Sequence, residues 1–340
     1  VVSKKRKAGK KRCVVGMDLG GTKILASAVD RRGRIRAEAK LRTQPEGGPD
    51  AVVERMGQAA RAAVEKAGLK WRNLRGVGVG APGPLDPVRG IVHNTPNLPG
   101  WQDFPLVSRL SEILGVPVFV ENDVNLGTLG EYALGAGQGV RDLVGVFVGT
   151  GVGGGLVLDG KLRSGFRHAA AEVGHMIVLA DGPVCGCGKR GCLESVASRT
   201  AMVRDIELGI ASGRETLIPA LTDGGQKRLT SGILARAHRE GDPLVTEVLG
   251  RAQWYLGLQT ASLVNLLDPE MIVFGGGVVE ALGEEFMEPI RVTARQYFIQ
   301  QDGAEKVQIV PARLGDNAGV LGAAVLAWDH LTGDFSSPNA

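Results

Sequence analysis

The sequence predicts a two-lobed α/β protein with a ligand cleft between its lobes. Three observations carry that expectation. The chain has 340 residues, more than the roughly 250 to 300 at which a single hydrophobic core stops growing. Its 51 glycines and 4% aromatics point to aliphatic strands and helices joined by glycine turns that face ligands. A strand, glycine turn and returning strand occurs near 13–29 and again near 143–158, which reads as an internal duplication.

In chain order, Cys13 to Met17 reads as a buried strand, Asp18 to Thr22 as a tight turn, Ile24 to Val29 as the returning strand and Ile35 to Leu41 as a third. Val52, Val53, Met56, Ala59, Ala60, Ala63 and Val64 recur on a helical period, predicting a helix over 50–67. A strand at Val77 to Gly80 ends in Ala81-Pro82-Gly83-Pro84, which forces a turn. A helix at Leu106 to Leu114 and a strand at Val116 to Val120 lead to Glu121-Asn122-Asp123-Val124-Asn125. Those residues fall at a strand's carboxyl end, where open α/β sheets place ligands. Leu143 to Val148, a glycine loop at 149–155 and Leu156 to Leu158 repeat the N-terminal unit, and 213–243 reads as polar surface helices and loops. Met271 to Phe274 is a strand opening into Gly275-Gly276-Gly277 and a helix. A last strand at Val307 to Val310 and a helix over 317–328 close the chain. The expected organisation is a basic tail (1–12), a small domain (13–120) completed by the 317–328 helix, a larger domain (121–316) and a C-terminal tail (331–340).

The net charge of +4 suggests nucleic acid until its location is seen. Residues 1–12 hold seven basic side chains and no acid, and the remainder is mildly acidic. Such a run reads as a solvated tail, with weak phosphate binding as the alternative. No apolar run reaches about 18 residues and no apolar signal segment follows the basic start. The expectation is a cytoplasmic protein with no membrane partner.

Between His175 and Glu194 the chain holds Cys185, Cys187 and Cys192, three of its four cysteines. With His175 they make a Cys3His set suited to tetrahedral structural zinc. The alternatives are a disulfide plus a spare thiol, or buried thiols, and an odd, close trio suits a metal better. Glu172 and Glu194 flank the ligands without being needed by them.

Asp18-Leu19-Gly20-Gly21-Thr22-Lys23 offers amides, a hydroxyl and an ammonium to phosphate oxygens, with Asp18 placed to hold phosphate-bound Mg2+. An ordinary glycine hairpin is the alternative. The second loop, Gly149-Thr150-Gly151-Val152-Gly153-Gly154-Gly155, would grip a triphosphate from the opposite side. It also matches a dinucleotide fingerprint, and Gly155 to Lys161 mimics a P-loop, but neither is followed by the required helix. Asp123 is the best candidate for the carboxylate that accepts a proton from an attacking hydroxyl. Asn97, Asn122, Glu172, Glu194 and His175 add the acceptors and paired groups that bridge neighbouring hydroxyls of a hexose.

Taken together, Asp-Leu-Gly-Gly-Thr-Lys at 18–23, Ala-Pro-Gly at 81–83, Glu-Asn-Asp at 121–123, the glycine loop at 149–155, Glu-Val-Gly-His at 172–175, the cysteine cluster through Glu194 and Gly-Gly-Gly at 275–277 closely resemble the ROK sugar kinases and repressors. The resemblance covers about residues 13–328. It implies a two-lobed actin-like ATPase, ribonuclease H-like fold with duplicated mixed sheets. It implies Asp123 as catalytic base, and His175, Cys185, Cys187 and Cys192 as zinc ligands. It further implies sugar contacts from Asn97, Asn122, Glu172, His175 and Glu194. ATP phosphates would lie on Gly20, Gly21, Thr22, Lys23, Gly149, Thr150, Gly151, Gly153 and Gly154, with adenosine near Gly276 and Gly277. Only 17 residues precede Asp18, too few for the repressors' DNA-binding domain, so a kinase is expected. The cysteine signature and Asn-Leu-Pro-Gly-Trp at 97–101 look most like bacterial glucokinases, which implies glucose, ATP and Mg2+ as ligands, structural Zn2+, and a homodimer or homotetramer.

Overall fold

Side-chain alternation along the first strand decides how the N-terminal half is layered. In the computed structural model, which describes residues 12–95 and 98–333, strand β1 (Cys13–Leu19) sends Cys13, Val15, Met17 and Leu19 into one apolar cluster and Val14 into another. A strand buried on both faces needs a layer on each side. β1 is followed by β2 (Lys23–Asp30), β3 (Ile35–Arg42), α1 (Gly48–Lys66), β4 (Leu74–Ala81), the short pair β5 (Leu85–Asp86) and β6 (Ile91–Val92), α2 (Leu106–Leu114), β7 (Val118–Asn122) and α3 (Asp123–Leu134). The sheet order is β3-β2-β1-β4-β7, with β1, β2 and β3 antiparallel and β1, β4 and β7 parallel. The predicted apolar stripe of α1 is buried.

The second half repeats this plan. β8 (Leu143–Val148), β9 (Val152–Leu158) and β10 (Lys161–Leu162) are antiparallel neighbours. After α4 (Glu194–Ala197), α5 (Arg199–Ala211), α6 (Ile218–Leu221), α7 (Ser231–Arg239) and α8 (Pro243–Leu267) come β11 (Met271–Gly275), α9 (Gly277–Leu282), α10 (Glu284–Gln296), β12 (Gln308–Pro311) and α11 (Ala318–Thr332). The order β10-β9-β8-β11-β12, with β8, β11 and β12 parallel, is the first sheet's pattern again. The duplicated mixed sheets anticipated for the chain are present.

Several boundaries differ from expectation for local reasons. β1 continues through Leu19, so the turn is Gly20 to Thr22 alone. Strand β9 starts at Val152, and most of the expected 149–155 loop is strand. β7 lies two residues later than expected, placing Asn122 at its end. Helix α3 was not anticipated: Gly127 and Gly130 interrupt its apolar period and lower its intrinsic propensity. Helix α8 also escaped, although Asp242 accepting from Val245 N (2.9 Å) and Pro243 at the first turn form a readable start. The last helix reaches Thr332, beyond the expected 328. The basic tail apart from Arg12, Asn97 and residues 334–340 fall outside the described residues. Among the described residues no helix is long and apolar enough to cross a membrane.

Helices α3 and α11 lie against each other between the two sheets. Helix α11 packs on β1 and β4, and α3 on β8 and β9. The two backbones approach so closely that a Cβ on Gly130 would fall 2.3 Å from Ala318 O, and one on Gly322 only 1.7 Å from Leu126 O. A methyl group cannot be accommodated there without separating the helices. Gly322→Ala should destabilise the protein by more than about 3 kcal/mol, read as a lower urea midpoint.

Candidate active site

Strand register brings the first acidic groups into line. Asp18 on β1 pairs with Gly80 on β4, and Gly80 pairs with Glu121 on β7. Asp18 and Glu121 thus share the carboxyl edge, about 10 Å apart across one intervening strand. Beyond Asp18 the hairpin closes with Gly20 N–H donating to Lys23 O (3.0 Å) and the Thr43 hydroxyl donating to Gly20 O (2.6 Å). Burial pushes the Asp18 carboxyl above the usual carboxylate range, opposed by Lys23 and reinforced by Asp316.

At the end of β7, Asn122 caps α3. Its Oδ1 accepts from Val124 N (2.9 Å) and Asn125 N (3.1 Å), satisfying amides that a helix start leaves open. The cap occupies Oδ1 and leaves Nδ2 as the donor, near Gly83. Asp123 is the first residue of α3 and accepts from Val124 N (2.9 Å). Burial is the main cause that raises its pKa to about 6, helped by the charges of Asp18 and Glu172 and opposed by the backbone amides of Val124 and Asp123 itself. Glu121 is buried beneath it, accepting from Asn122 N (2.9 Å), Asn125 Nδ2 (3.1 Å) and the Ser164 hydroxyl (2.8 Å). Ser164 begins the loop that carries Glu172 to the cleft.

A cavity of about 410 Å³ has Asn122, Val124, Asn125, Asp86, His93, His168 and Glu172 in its wall, so Asp123's chain neighbours on both sides line it while Asp123 itself does not. Of the sequence-predicted sugar residues, Asn122 and Glu172 line it. His175 and Glu194 stand instead at the cysteine cluster, where the Glu194 carboxylate accepts from Val152 N (3.1 Å) and lies 3.5 Å from Cys185 Sγ. The cysteine loop and the start of β9 are therefore joined through one side chain.

The second glycine loop divides into two parts. Gly149 N–H donates to Gly151 O (2.9 Å), making a short turn whose Thr150 is held by Arg199 Nη2 on its hydroxyl (2.9 Å) and the Thr200 hydroxyl on its carbonyl (2.7 Å). Gly153 and Gly154 belong to β9 and face Val124 and Val173 at distances that exclude a Cβ. Packing by itself already requires glycine at both positions. Gly276, at φ 91°, sits against Val148 O at the end of the neighbouring strand, and Gly277 starts α9. A second cavity, about 650 Å³, is lined in part by Arg199, Thr200, Arg204, Lys227 and Arg228.

Sequence reasoning missed Asp316 and Arg199. Asp316 had a signal: Gly315-Asp316-Asn317-Ala318-Gly319 puts a glycine-flanked acid just before a helix. Arg199 had none.

His175, Cys185, Cys187 and Cys192 bring their ligand atoms within 4.8 Å of one another. Cys187 Sγ and Cys192 Sγ are 3.7 Å apart, and Cys185 Sγ is 3.6 Å from His175 Nδ1. A tetrahedral zinc ion with its usual bond lengths sets such edges at about 3.8 Å for two sulfurs and about 3.6 Å for sulfur and nitrogen. A disulfide would need about 2.05 Å. The donor set fits zinc, and the nitrogen that would ligate it is Nδ1.

Residues 14–330 match the ROK family, and the chain belongs to that family. It is 35% identical to a glucokinase of Streptomyces coelicolor over 92% of this chain and 96% of that protein. Among solved structures, it resembles a ROK hexokinase from Thermus thermophilus (38% identity, TM-score 0.80, 95% of this chain and 100% of that one). It also resembles a ROK family glucokinase from Streptomyces griseus in complex with glucose and AMPPNP (37%, TM-score 0.81, 93% and 99%). More distant relatives include N-acetylmannosamine kinases and xylose repressors. The fold is the two-lobed actin-like ATPase fold anticipated from the motifs.

Two measurements test the site. Metal analysis of purified protein should find about one zinc per chain, and Cys187→Ser should lose it; a wild-type protein without zinc would contradict the assignment. Because the raised pKa of Asp123 reflects a penalty on its charged form in the folded state, that penalty is absent below about pH 4 and complete above pH 6. Asp123→Asn should therefore stabilise the protein at pH 8 by up to about 3 kcal/mol, with the gain shrinking as pH falls from 6 to 4.

Proposed function

We propose that the protein is an ATP-dependent glucokinase, transferring the γ-phosphoryl group of ATP to the 6-hydroxyl of glucose to give glucose 6-phosphate. The observation that carries this reading is Asp123: a carboxyl with a pKa of about 6, at a helix start between Asn122 and Val124 of a polar cavity wall, in a chain 35% identical to a glucokinase. A base of that strength is ionised at pH 7 yet strong enough to take the proton as the hydroxyl attacks. Phosphoryl transfer asks for little else beyond positioning and charge neutralisation.

In this reading Asn122, through Nδ2, and Glu172 hold sugar hydroxyls, with Asn97, His175 and Glu194 as further contacts. The phosphates lie between the Gly20-Gly21-Thr22-Lys23 turn and Gly149-Thr150-Gly151, and adenosine lies by Gly276 and Gly277. Asp18 holds phosphate-bound Mg2+, directly or through water. Zinc serves as a structural ion: with His175 Nδ1 turned towards it, Nε2 is left to donate to the sugar. The basic 650 Å³ cavity beside Thr150 supports a nucleotide on that side of the cleft. Reduced thiols and ATP as donor support a cytoplasmic location, and the family resemblance supports a homodimer or homotetramer.

A coupled assay with glucose and MgATP tests the reading. Asp123→Asn should lower kcat by about 10² to 10⁴, and wild-type kcat/KM should fall about tenfold per pH unit below about 6 as Asp123 is protonated. A substrate panel including N-acetylglucosamine, N-acetylmannosamine, fructose and mannose, with polyphosphate and ADP as alternative donors, decides specificity. A clear preference for an N-acetylhexosamine would refute the glucose assignment. Wild type and Asp123→Asn equally inactive on every hexose, with tight operator binding, would instead mean a sugar-responsive repressor.

A further inference from the structure

Glu131 has no part in the mechanism above, yet its surroundings are unusual for a glutamate. It is fully buried in α3, two turns beyond Asp123. Its carboxylate accepts from backbone amides: Ala136 N at 2.8 Å, Leu314 N at 2.7 Å and Arg313 N at 3.0 Å to each oxygen. Ala136 lies where the chain leaves α3 for the second sheet. Arg313 and Leu314 lie where it leaves β12 to return to the first sheet through α11. One carboxylate therefore ties together both passages between the sheets. Bonds from amides to a charged acceptor are short and strong, and these amides sit outside regular structure and would otherwise be left unpaired.

Both passages lead to acids of the cleft. Asp123 opens the helix that contains Glu131. Asp316 follows Leu314 by two residues and acts electrostatically on Asp18. We propose that Glu131 is a positioning residue for phosphoryl transfer: by clasping the two crossings it fixes the Asp123 helix against the 313–317 turn that brings Asp316 towards Asp18. The inference rests on the kinase reading. Misplacing reacting groups by about 1 Å costs roughly 100-fold in rate, so the clasp acts on turnover more than on sugar binding.

Glu131→Gln keeps the shape but turns an amide NH2 towards a backbone N–H. With glucose and saturating MgATP, kcat should fall at least about tenfold while the glucose KM stays within about twofold. Hydrogen exchange at Ala136, Arg313 and Leu314 should accelerate while α1 amides stay unchanged. Gly135→Ala is the second variant. Its Cβ would fall 2.1 Å from Glu131 Oε2, displacing the carboxylate without removing its charge, and the same kinetic split should result. Leu110→Ala, a core truncation in α2, controls for stability and should keep wild-type kcat per folded molecule. The proposal is overturned if both clasp variants keep kcat within twofold of wild type, if the loss lies in KM alone, or if Leu110→Ala loses as much kcat. Exchange at the three amides is read without turnover. A wild-type protein that phosphorylates no hexose contradicts the kinase reading, whereas wild-type turnover with unchanged Glu131→Gln kcat contradicts only the clasp.

Discussion

The backbone contact between α3 and α11 is the constraint on which the rest of this structure depends. Two mixed sheets of identical order can face a common cleft only if the helices between them are thin enough to keep the strand edges close. Gly130 and Gly322 supply that closeness, letting Ala318 O and Leu126 O approach where any side chain would intrude. Gly16 and Gly78 do the same beneath α11, lying against Val320 O and Ala323 O. Much of the chain's glycine content thus serves helix and sheet contact rather than turns, and the cleft inherits its width from these contacts.

The electrostatics of the cleft follow from that geometry. Asp18 lies on the first sheet, Asp123 begins one central helix, Asp316 precedes the other, and Glu172 comes from the loop after the second sheet's outer strands. Burial raises the pKa of Asp18 and Asp123, and the charge of Asp316 adds to the effect at Asp18 while Asp18 and Glu172 add to it at Asp123. A site that gathers this much negative charge is suited to a cation-bound phosphate, and it leaves one carboxyl poised near neutrality.

The cysteine loop enters the same arrangement through Glu194. Its carboxylate lies beside Cys185 and accepts from Val152 N, so the cysteine cluster and the Gly149–Gly151 turn share a support. Gly174 packs against Val152 O from the other side. A metal that orders residues 175–192 would therefore steady the sugar side and the phosphate side of the cleft together.

The sequence by itself determined the strands, the duplicated strand, turn and strand units, the Cys3His set and the acid of Glu-Asn-Asp. Each is written in local spacing: period-two or period-3.6 apolar residues, closely spaced thiols, glycines at a turn. Helix α3 was not legible, because Gly127 and Gly130 spoil its period for reasons that exist only in the fold: Phe147 of β8 lies against the first and α11 against the second. The packing demand on Gly153 and Gly154 was not legible, because a glycine required by packing and one required by a ligand are the same letter. Asp316 and Glu131 are separated from their partners in sequence by 298 and about 180 residues, as Asp18 and Arg313 show. Only the folded chain could decide those pairings, since buried charge and backbone amides find one another through the crossing of the two central helices.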